Sequence, residues 1–278
     1  GIDYAYSSER ISPGQLDQKK FKIKFDNIDK VISANNNRSR NKMRSLYSFL
    51  FKKTYMAKSI EIAETSKLLE NTYRAVNIGL VNEFKKICYS LKLNINDIID
   101  TASSKPFGFT PFRPGPGVGG HCIPIDPVYL SWIAKKNNQK AKFIDLARKT
   151  NLEITNWVFN KILLMIKKKN AKKILMIGIT YKEDVNDLRE SPLLKIYKKL
   201  TKKKIVLNFY DPHISSFRKG NKIIKGLKKL DNLRRFDICI LGTAHSNLDY
   251  SKILKECKII IDTRGKFNNI KRENILQL

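Results

Sequence analysis

The chain has 278 residues, 42% hydrophobic and 29% charged, a balance that supports one large or two medium cores and excludes a disordered or fibrous polymer. No apolar run approaches the roughly 18 residues of a membrane span, so no membrane partner is expected. No signal-peptide pattern opens the chain, which says little for a chain that does not begin with Met; the cysteines, without C-x-x-C spacing, make a reducing cytoplasm the expectation. The 55 Lys and Arg against 25 Asp and Glu give a formal charge of +30, which suggests nucleic acid. The lysines, however, are spread in short clusters such as 167–169 and 202–204, as a compositional bias spreads them. No nucleic-acid partner is expected, and a positive field equally suits a diphosphate-bearing substrate.

Gly1 leads directly into an aromatic stretch, Tyr4 to Tyr6, which reads as a chain entered partway through. Residues 1–55 hold a short aromatic strand, a Ser/Pro/Gly turn, a basic polar segment and a helix around 42–51. Nothing there closes a core. A long helix is expected over 59–90, where Ile62, Leu69, Val76 and Leu80 recur at helical spacing and only Gly79 weakens it. A second helix over 95–102 takes Asn94 or Asn96 as its N-cap. Residues 105–127, dense in Pro and Gly, form a loop. Helical periodicity returns over 129–169, with breaks near Asn137 and Asn151. Short apolar runs at 174–179, 205–210, 238–241 and 259–261 then alternate with helical patterns, which indicates a parallel sheet.

Cys88, Cys239 and Cys257 lie in or beside apolar runs and read as buried reduced core residues; no cysteine has C-x-x-C or metal-ligand spacing. Cys122 differs. It lies in a segment where Gly115, Gly117 and Gly120 satisfy G-x-G-x-x-G, but Pro111 and Pro114 precede the match and Pro124 and Pro127 follow it. A dinucleotide fingerprint needs a strand before and a helix N-terminus after. The alternative is a rigid loop exposing one thiol, with glycines permitting close approach and prolines fixing the flanks. Asp126, four residues on, is better placed as a proton acceptor than His121, whose side chain points away from its neighbour's. His213 and His245 fall in strand-end loops and read as polar caps.

The run Lys105-Pro106-Phe107-Gly108-Phe109, continuing through Gly119-Gly120-His121-Cys122 to Tyr129-Leu130, closely resembles the cysteine loop of the UDP-glucose/GDP-mannose dehydrogenase family. The resemblance extends further. Tyr6-Ser7-Ser8-Glu9-Arg10 is similar to the family's S-P-E-R turn, with Ser8 in place of proline and Ser12-Pro13-Gly14-Gln15 in place of D-P-G-N. Leu69 to Asn77 matches the central helix, and Gly178 to Lys182 with Asp187 to Pro192 matches the start of the last domain.

The resemblance implies an α/β protein whose helical, dimerisation-type central domain is followed by a Rossmann-like parallel-sheet domain, with most of the N-terminal NAD-binding Rossmann domain absent. Residues 1–56 would be the remnant of that domain, 57–155 the central domain with the cysteine loop, and 156–278 the UDP-sugar-binding domain. It implies a four-electron oxidation of a UDP-sugar C6 alcohol to the acid, using two NAD per turnover and no metal, in a homodimer. UDP-N-acetylglucosamine is the expected sugar, with UDP-N-acetylmannosamine or UDP-glucose as alternatives, and the product would feed surface polysaccharide synthesis. The chain alone is expected to be inactive.

By resemblance, Cys122 captures the aldehyde as a thiohemiacetal whose oxidation gives a thioester. Lys67 and Asn71, at i and i+4, share a helix face; spacing alone favours a solvated lysine and an ordinary helix asparagine, while the resemblance makes them oxyanion donors. Glu9 would help water attack the thioester and Asp126 would move the proton. Lys182, Tyr181, Arg264, Arg113 and Gly119 would bind the substrate, Arg113 across a subunit interface, and Arg189 would reach the cofactor. The turn after the first strand of the last domain, Tyr181-Lys182-Glu183-Asp184, has no glycine-rich cradle, so no second NAD site is expected there. A basic nucleic-acid module and a Cys122 hydrolase are the competing readings; the first lacks a binding motif, the second a well-placed histidine base.

Overall fold

The computed structural model describes residues 2–11, 27–203 and 205–278, and these form two compact units, Gly1–Tyr73 and Arg74–Leu278. In the first unit, β1 (Ala5–Ser7) pairs antiparallel with β2 (Lys30–Ala34), which pairs in parallel with β3 (Thr54–Met56). Helix α1 (Asn37–Leu50) is the crossover between β2 and β3, and its first turn is capped by Asn36, whose side chain accepts the Ser39 N–H at 2.8 Å.

The segment read as basic and polar therefore contains a buried strand. Val31, Ala57 and Ala63, with Tyr6 against them, make a small core, and Ile32 is fully buried. Five residues buried on both faces show no alternation, and with Lys30 opening the strand and Asn35 to Asn37 following it the apolar run is too short to read. Ser12-Pro13-Gly14-Gln15 lie outside the described residues.

Helix α2 (Ile60–Ser90) runs from the first unit into the second. Its burial reverses the sequence expectation. Ile62, Leu69 and Leu80 are exposed, whereas Ala63, Asn71, Thr72, Ala75, Asn82, Lys85 and Cys88 are buried. Small and polar residues face inward because neighbouring backbone comes close: a Cβ on Gly79 would lie 3.2 Å from the Ala147 carbonyl oxygen.

Helices α3 (Ile95–Ala102), capped by Asn94, and α4 (Asp126–Lys136) flank the Gly/Pro loop. The expected break near Asn137 separates α4 from α5 (Lys142–Lys168), which passes unbroken through Asn151. Asn151 stays helical because its amide is buried and bonded rather than competing for its own backbone.

Strands β4 (Lys173–Ile177), β5 (Val206–Tyr210), β8 (Ile238–Leu241), β9 (Ile260–Asp262) and β10 (Ile275–Gln277) form a parallel sheet of order β10-β9-β8-β4-β5. Two further strands, β6 (Ser216–Lys219) and β7 (Lys222–Lys225), make a hairpin that the sequence reading did not contain. Along β4, Ile174 and Met176 enter one core cluster and Leu175 and Ile177 the other, so both faces are covered. Helix α6 (Pro192–Leu200) buries Leu193, Ile196 and Leu200 in the first cluster, and α7 (Tyr250–Glu256) buries Ile253 in the second. The winding reverses at β4, so the loops after β4 and β8 leave in opposite directions, which is the usual ligand position in such sheets.

Candidate functional site

The loop between α3 and α4 is fixed by backbone contacts that only glycine permits. Gly115 donates its N–H to the Asn82 side chain at 3.0 Å, and a Cβ there would lie 2.9 Å from Arg264 Nη1. Gly117, at φ +137°, passes over Thr155 and Pro192. Gly119 lies against Tyr181 and the Glu190 carbonyl, and Gly120, at φ +86°, lies under the Tyr181 ring with its N–H donated to the Arg189 carbonyl at 2.9 Å. Cys122 follows and is exposed. Its carbonyl accepts the N–H groups of Ile125 at 3.0 Å and Asp126 at 2.8 Å, a turn that leads directly into α4. No strand precedes the first glycine and the helix begins six residues after the third, so G-x-G-x-x-G here is not a strand–turn–helix cradle.

The loop therefore rests on the first turn of the parallel-sheet domain. Tyr181 is partly buried, which raises its hydroxyl pKa, and Asp187 adds to the effect. Burial lowers the Lys182 ammonium, and the charge of Arg74 lowers it further. Arg189 is exposed and grips both carboxylate oxygens of Asp187, holding that carboxyl below its usual range. Arg264 donates from Nε to the Gly242 carbonyl at 2.8 Å, while its Nη2 is buried and has no partner among the described residues. Arg113 pairs with Asp100 of α3. Asp126 is the acid in the first turn of α4. Behind the loop, Val118, Ile123, Pro124 and Val128 line a cavity of about 240 Å³ with Arg148 and Glu190 at its polar edge.

In the first unit, Lys67 and Asn71 stand on α2. Asn71 is buried, and Lys67 lies 3.8 Å from Glu70, which also pairs with Arg10. Glu9 is exposed, 3.7 Å from Lys30. Lys182, Tyr181, Arg189, Gly119, Arg264, Arg113, Asp126 and Cys122 all belong to the second unit.

The crevice at the winding reversal is closed. Gly178, at φ +79°, and Gly242 pass so near that a Cβ on the first would lie 2.3 Å from the Thr243 carbonyl oxygen. Below them Asp211 accepts the Ile179 N–H at 2.7 Å, the His213 N–H at 2.9 Å and His245 Nε2 at 3.1 Å. Burial opposes ionisation of Asp211, but the His245 hydrogen bond and these N–H groups outweigh it and hold the carboxyl below its usual range. His245 Nδ1 accepts the Asp184 N–H at 3.0 Å, so the neutral Nε2–H tautomer satisfies both ring nitrogens. Asp184, His213 and His245 bring three ligand atoms within 4.8 Å, yet the His245 Nδ1 lone pair that a metal would need already accepts the hydrogen bond from the Asp184 N–H. His245 caps its loop through both ring nitrogens, whereas His213 Nε2 is buried without a hydrogen-bond partner among the described residues.

Sequence reasoning missed Asn82, Asn151, Thr155 and Lys85. The first three touch or support the loop, and Lys85 is a buried lysine whose ammonium pKa is pushed down to about 7 by burial and by Arg264. A lysine in a lysine-rich chain and asparagines on long helices carry no signal of their own.

A doubly wound domain whose first turn clamps a thiol-bearing glycine loop defines a nucleotide-binding α/β protein with a candidate cysteine nucleophile. The chain belongs to the UDP-glucose/GDP-mannose dehydrogenase family: the model of that family's central domain matches residues 61–153 and the model of its UDP binding domain matches residues 175–269. It is 37% identical, over 95% of its length, to the UDP-N-acetyl-D-mannosamine dehydrogenase of Methanococcus vannielii, of which it covers 61%. It is 31% identical, over 98% of its length, to the UDP-N-acetyl-D-glucosamine 6-dehydrogenase of Pseudomonas aeruginosa, of which it covers 60%. The solved UDP-D-ManNAc dehydrogenase of Pyrococcus horikoshii superposes with a TM-score of 0.79 at 26% identity, covering 98% of this chain and 64% of that one. The chain thus spans about 60% of the length of these curated relatives. Among the described residues no helix is long and apolar enough to cross a membrane.

Proposed function

We propose that this chain is the central and UDP-binding part of an NAD-dependent dehydrogenase that oxidises the C6 alcohol of a UDP-N-acetylhexosamine to the acid. The chain divides into a remnant of the NAD-binding domain over 1–56, a central domain over 57–155 and a UDP-sugar-binding domain over 156–278. The observation that carries the reading is the clamp between Gly119, Gly120 and the turn Tyr181 to Arg189, which presents the exposed Cys122 directly beside a nucleotide-binding turn.

Cys122 Sγ attacks the C6 aldehyde carbon to form a thiohemiacetal, and after the second oxidation the acyl group remains on Sγ as a thioester. Lys67 Nζ and Asn71 Nδ2 donate to the oxygen that becomes negative at C6. Glu9 helps water attack the thioester, and Asp126 assists the proton transfer. Lys182, Tyr181, Arg264 and Arg113 hold the UDP-sugar, Arg264 through the buried Nη2 that lacks a partner among the described residues. NAD, when bound, would supply the oxidising power, with one hydride passing to each of two successive NAD molecules. The described residues hold no glycine cradle for it, and Arg189 is its one proposed contact in this chain. The chain alone is proposed to be inactive, and the protein to be cytoplasmic and to supply surface polysaccharide synthesis. A homodimer is supported by exposed Leu80, Phe84 and Ile87 on α2 and by Tyr129 and Trp132 on α4.

The sequence reading favoured UDP-N-acetylglucosamine; the names of several relatives favour UDP-N-acetylmannosamine. The test is turnover on both sugars and on UDP-glucose, with the chain completed by the part of the Methanococcus vannielii relative that the match leaves uncovered. Turnover on either acetylhexosamine supports the proposal. Turnover on UDP-glucose alone would replace the substrate class, and binding of no UDP compound by a folded chain would remove the function.

A further inference from the structure

Gly115 opens the segment that presents Cys122, and its N–H meets a side chain rather than another backbone group. Asn82 Oδ1 accepts that N–H at 3.0 Å, Asn82 Nδ2 donates to Asn151 Oδ1 at 3.1 Å, and Asn151 Nδ2 donates to the Ala75 carbonyl at 2.8 Å. All three bonds are buried, with Asn82 fully so and Asn151 at 8% exposure. The ends fix the direction. A backbone N–H can only donate and a backbone carbonyl can only accept, so both amides must turn their oxygens toward Gly115 and their nitrogens toward Ala75. A reversed amide at either position would set two donors or two acceptors face to face out of water.

Helix α5 meets the loop twice on one face. Asn151 acts through Asn82, and Thr155, four residues on, lies where a Cβ on Gly117 would approach its Oγ1 to 2.3 Å. On the other side Arg264 Nη1 blocks the loop at Gly115. The loop therefore enters on a fixed path before it reaches the Tyr181 clamp.

We infer that Asn82 and Asn151 are positioning residues, a polarised two-amide relay that holds the entrance of the cysteine loop to helices α2 and α5 and so fixes where Cys122 is presented. The relay is a property of the folded chain; only its catalytic consequence rests on the proposed role of Cys122.

The test has two arms. Amide hydrogen exchange at Gly115 is measured in the 278-residue chain, and kcat and KM in the completed enzyme, for Asn82→Ala, Asn151→Ala and the double variant. Asn151→Ala removes nothing bonded to Gly115, yet the relay predicts about 10-fold faster Gly115 exchange, against about 100-fold for Asn82→Ala, with the double variant no faster than Asn82→Ala. Exchange at Leu175 in β4 stays unchanged and reports that the fold is intact. In the enzyme, kcat falls about 10-fold or more while KM for the UDP-sugar holds.

Unchanged Gly115 exchange in Asn151→Ala overturns the relay. Faster exchange with wild-type kcat overturns the positioning role. A completed enzyme inactive on every sugar refutes the proposed function instead, and the exchange arm still decides the relay. Where Asn82→Ala does not fold, Asn82→Ser, which keeps an acceptor in reach, replaces it under the same outcomes.

Discussion

Lys85 sits on α2 at 4% exposure, and its ammonium pKa falls from the ordinary 10.5 to about 7, chiefly through burial, then through the charge of Arg264, with Asp262 opposing. The folded state therefore sheds this proton near neutrality, while the unfolded chain keeps it to about pH 10. Between those values the unfolded state binds more protons, so stability rises with pH. At about 1.4 kcal/mol per pH unit the gap is worth at most about 5 kcal/mol, and relaxation around the charge reduces that to about 2–4 kcal/mol. Urea unfolding of the chain between pH 6.5 and 9 should show the rise in the wild type. Lys85→Met, which keeps the apolar stem and removes the charge, should flatten it and be the more stable protein at pH 6.5. Lys182, lowered by burial in the same direction, cancels in the difference between the two curves. Parallel curves for wild type and Lys85→Met would refute the buried, charge-crowded lysine.

Gly178→Ala places a methyl against the Thr243 backbone at a positive φ, and should cost about 2–4 kcal/mol, a fall of several degrees in Tm by calorimetry; a Tm within a degree of wild type contradicts the closed crevice. Lys182→Ala should weaken UDP binding to the chain about 10–100-fold by titration calorimetry, as loss of a charge-assisted contact does, and an unchanged Kd would remove Lys182 from the site. Iodoacetamide at neutral pH under native conditions should add once, at Cys122. Cys88, Cys239 and Cys257 are buried, and the Cys239 thiol is pushed up by its hydrogen bond with Cys257 and then by burial, so a second native adduct contradicts the packing.

What the sequence disclosed follows from how each element announces itself. Four of the five strands of the parallel sheet, β4, β5, β8 and β9, are apolar runs bounded by loops, and α3 carries its own cap at Asn94, so both were readable. The glycines of the cysteine loop were visible as glycines, but what each one avoids is a side chain far along the chain, such as Thr155 or Tyr181. Strand β2 was hidden because it opens on Lys30 and runs into Asn35 to Asn37, and α2 misled because its apolar stripe is exposed while asparagine, threonine and lysine face inward. Periodicity locates a helix face; it does not say whether a partner helix, a second subunit or water covers it. Asn151 read as a helix breaker and is instead half of a buried amide pair, a role that exists only once α2 and α5 are packed.

The central claim is that Cys122 carries the acyl group of a UDP-sugar through a four-electron oxidation. The most direct measurement is NADH formed per UDP-N-acetylhexosamine consumed by the completed enzyme, beside Cys122→Ser. Two NADH per sugar in the wild type, with the variant stalled or giving none, is the predicted result. Two NADH per sugar from the Cys122→Ser variant at the wild-type rate would contradict it.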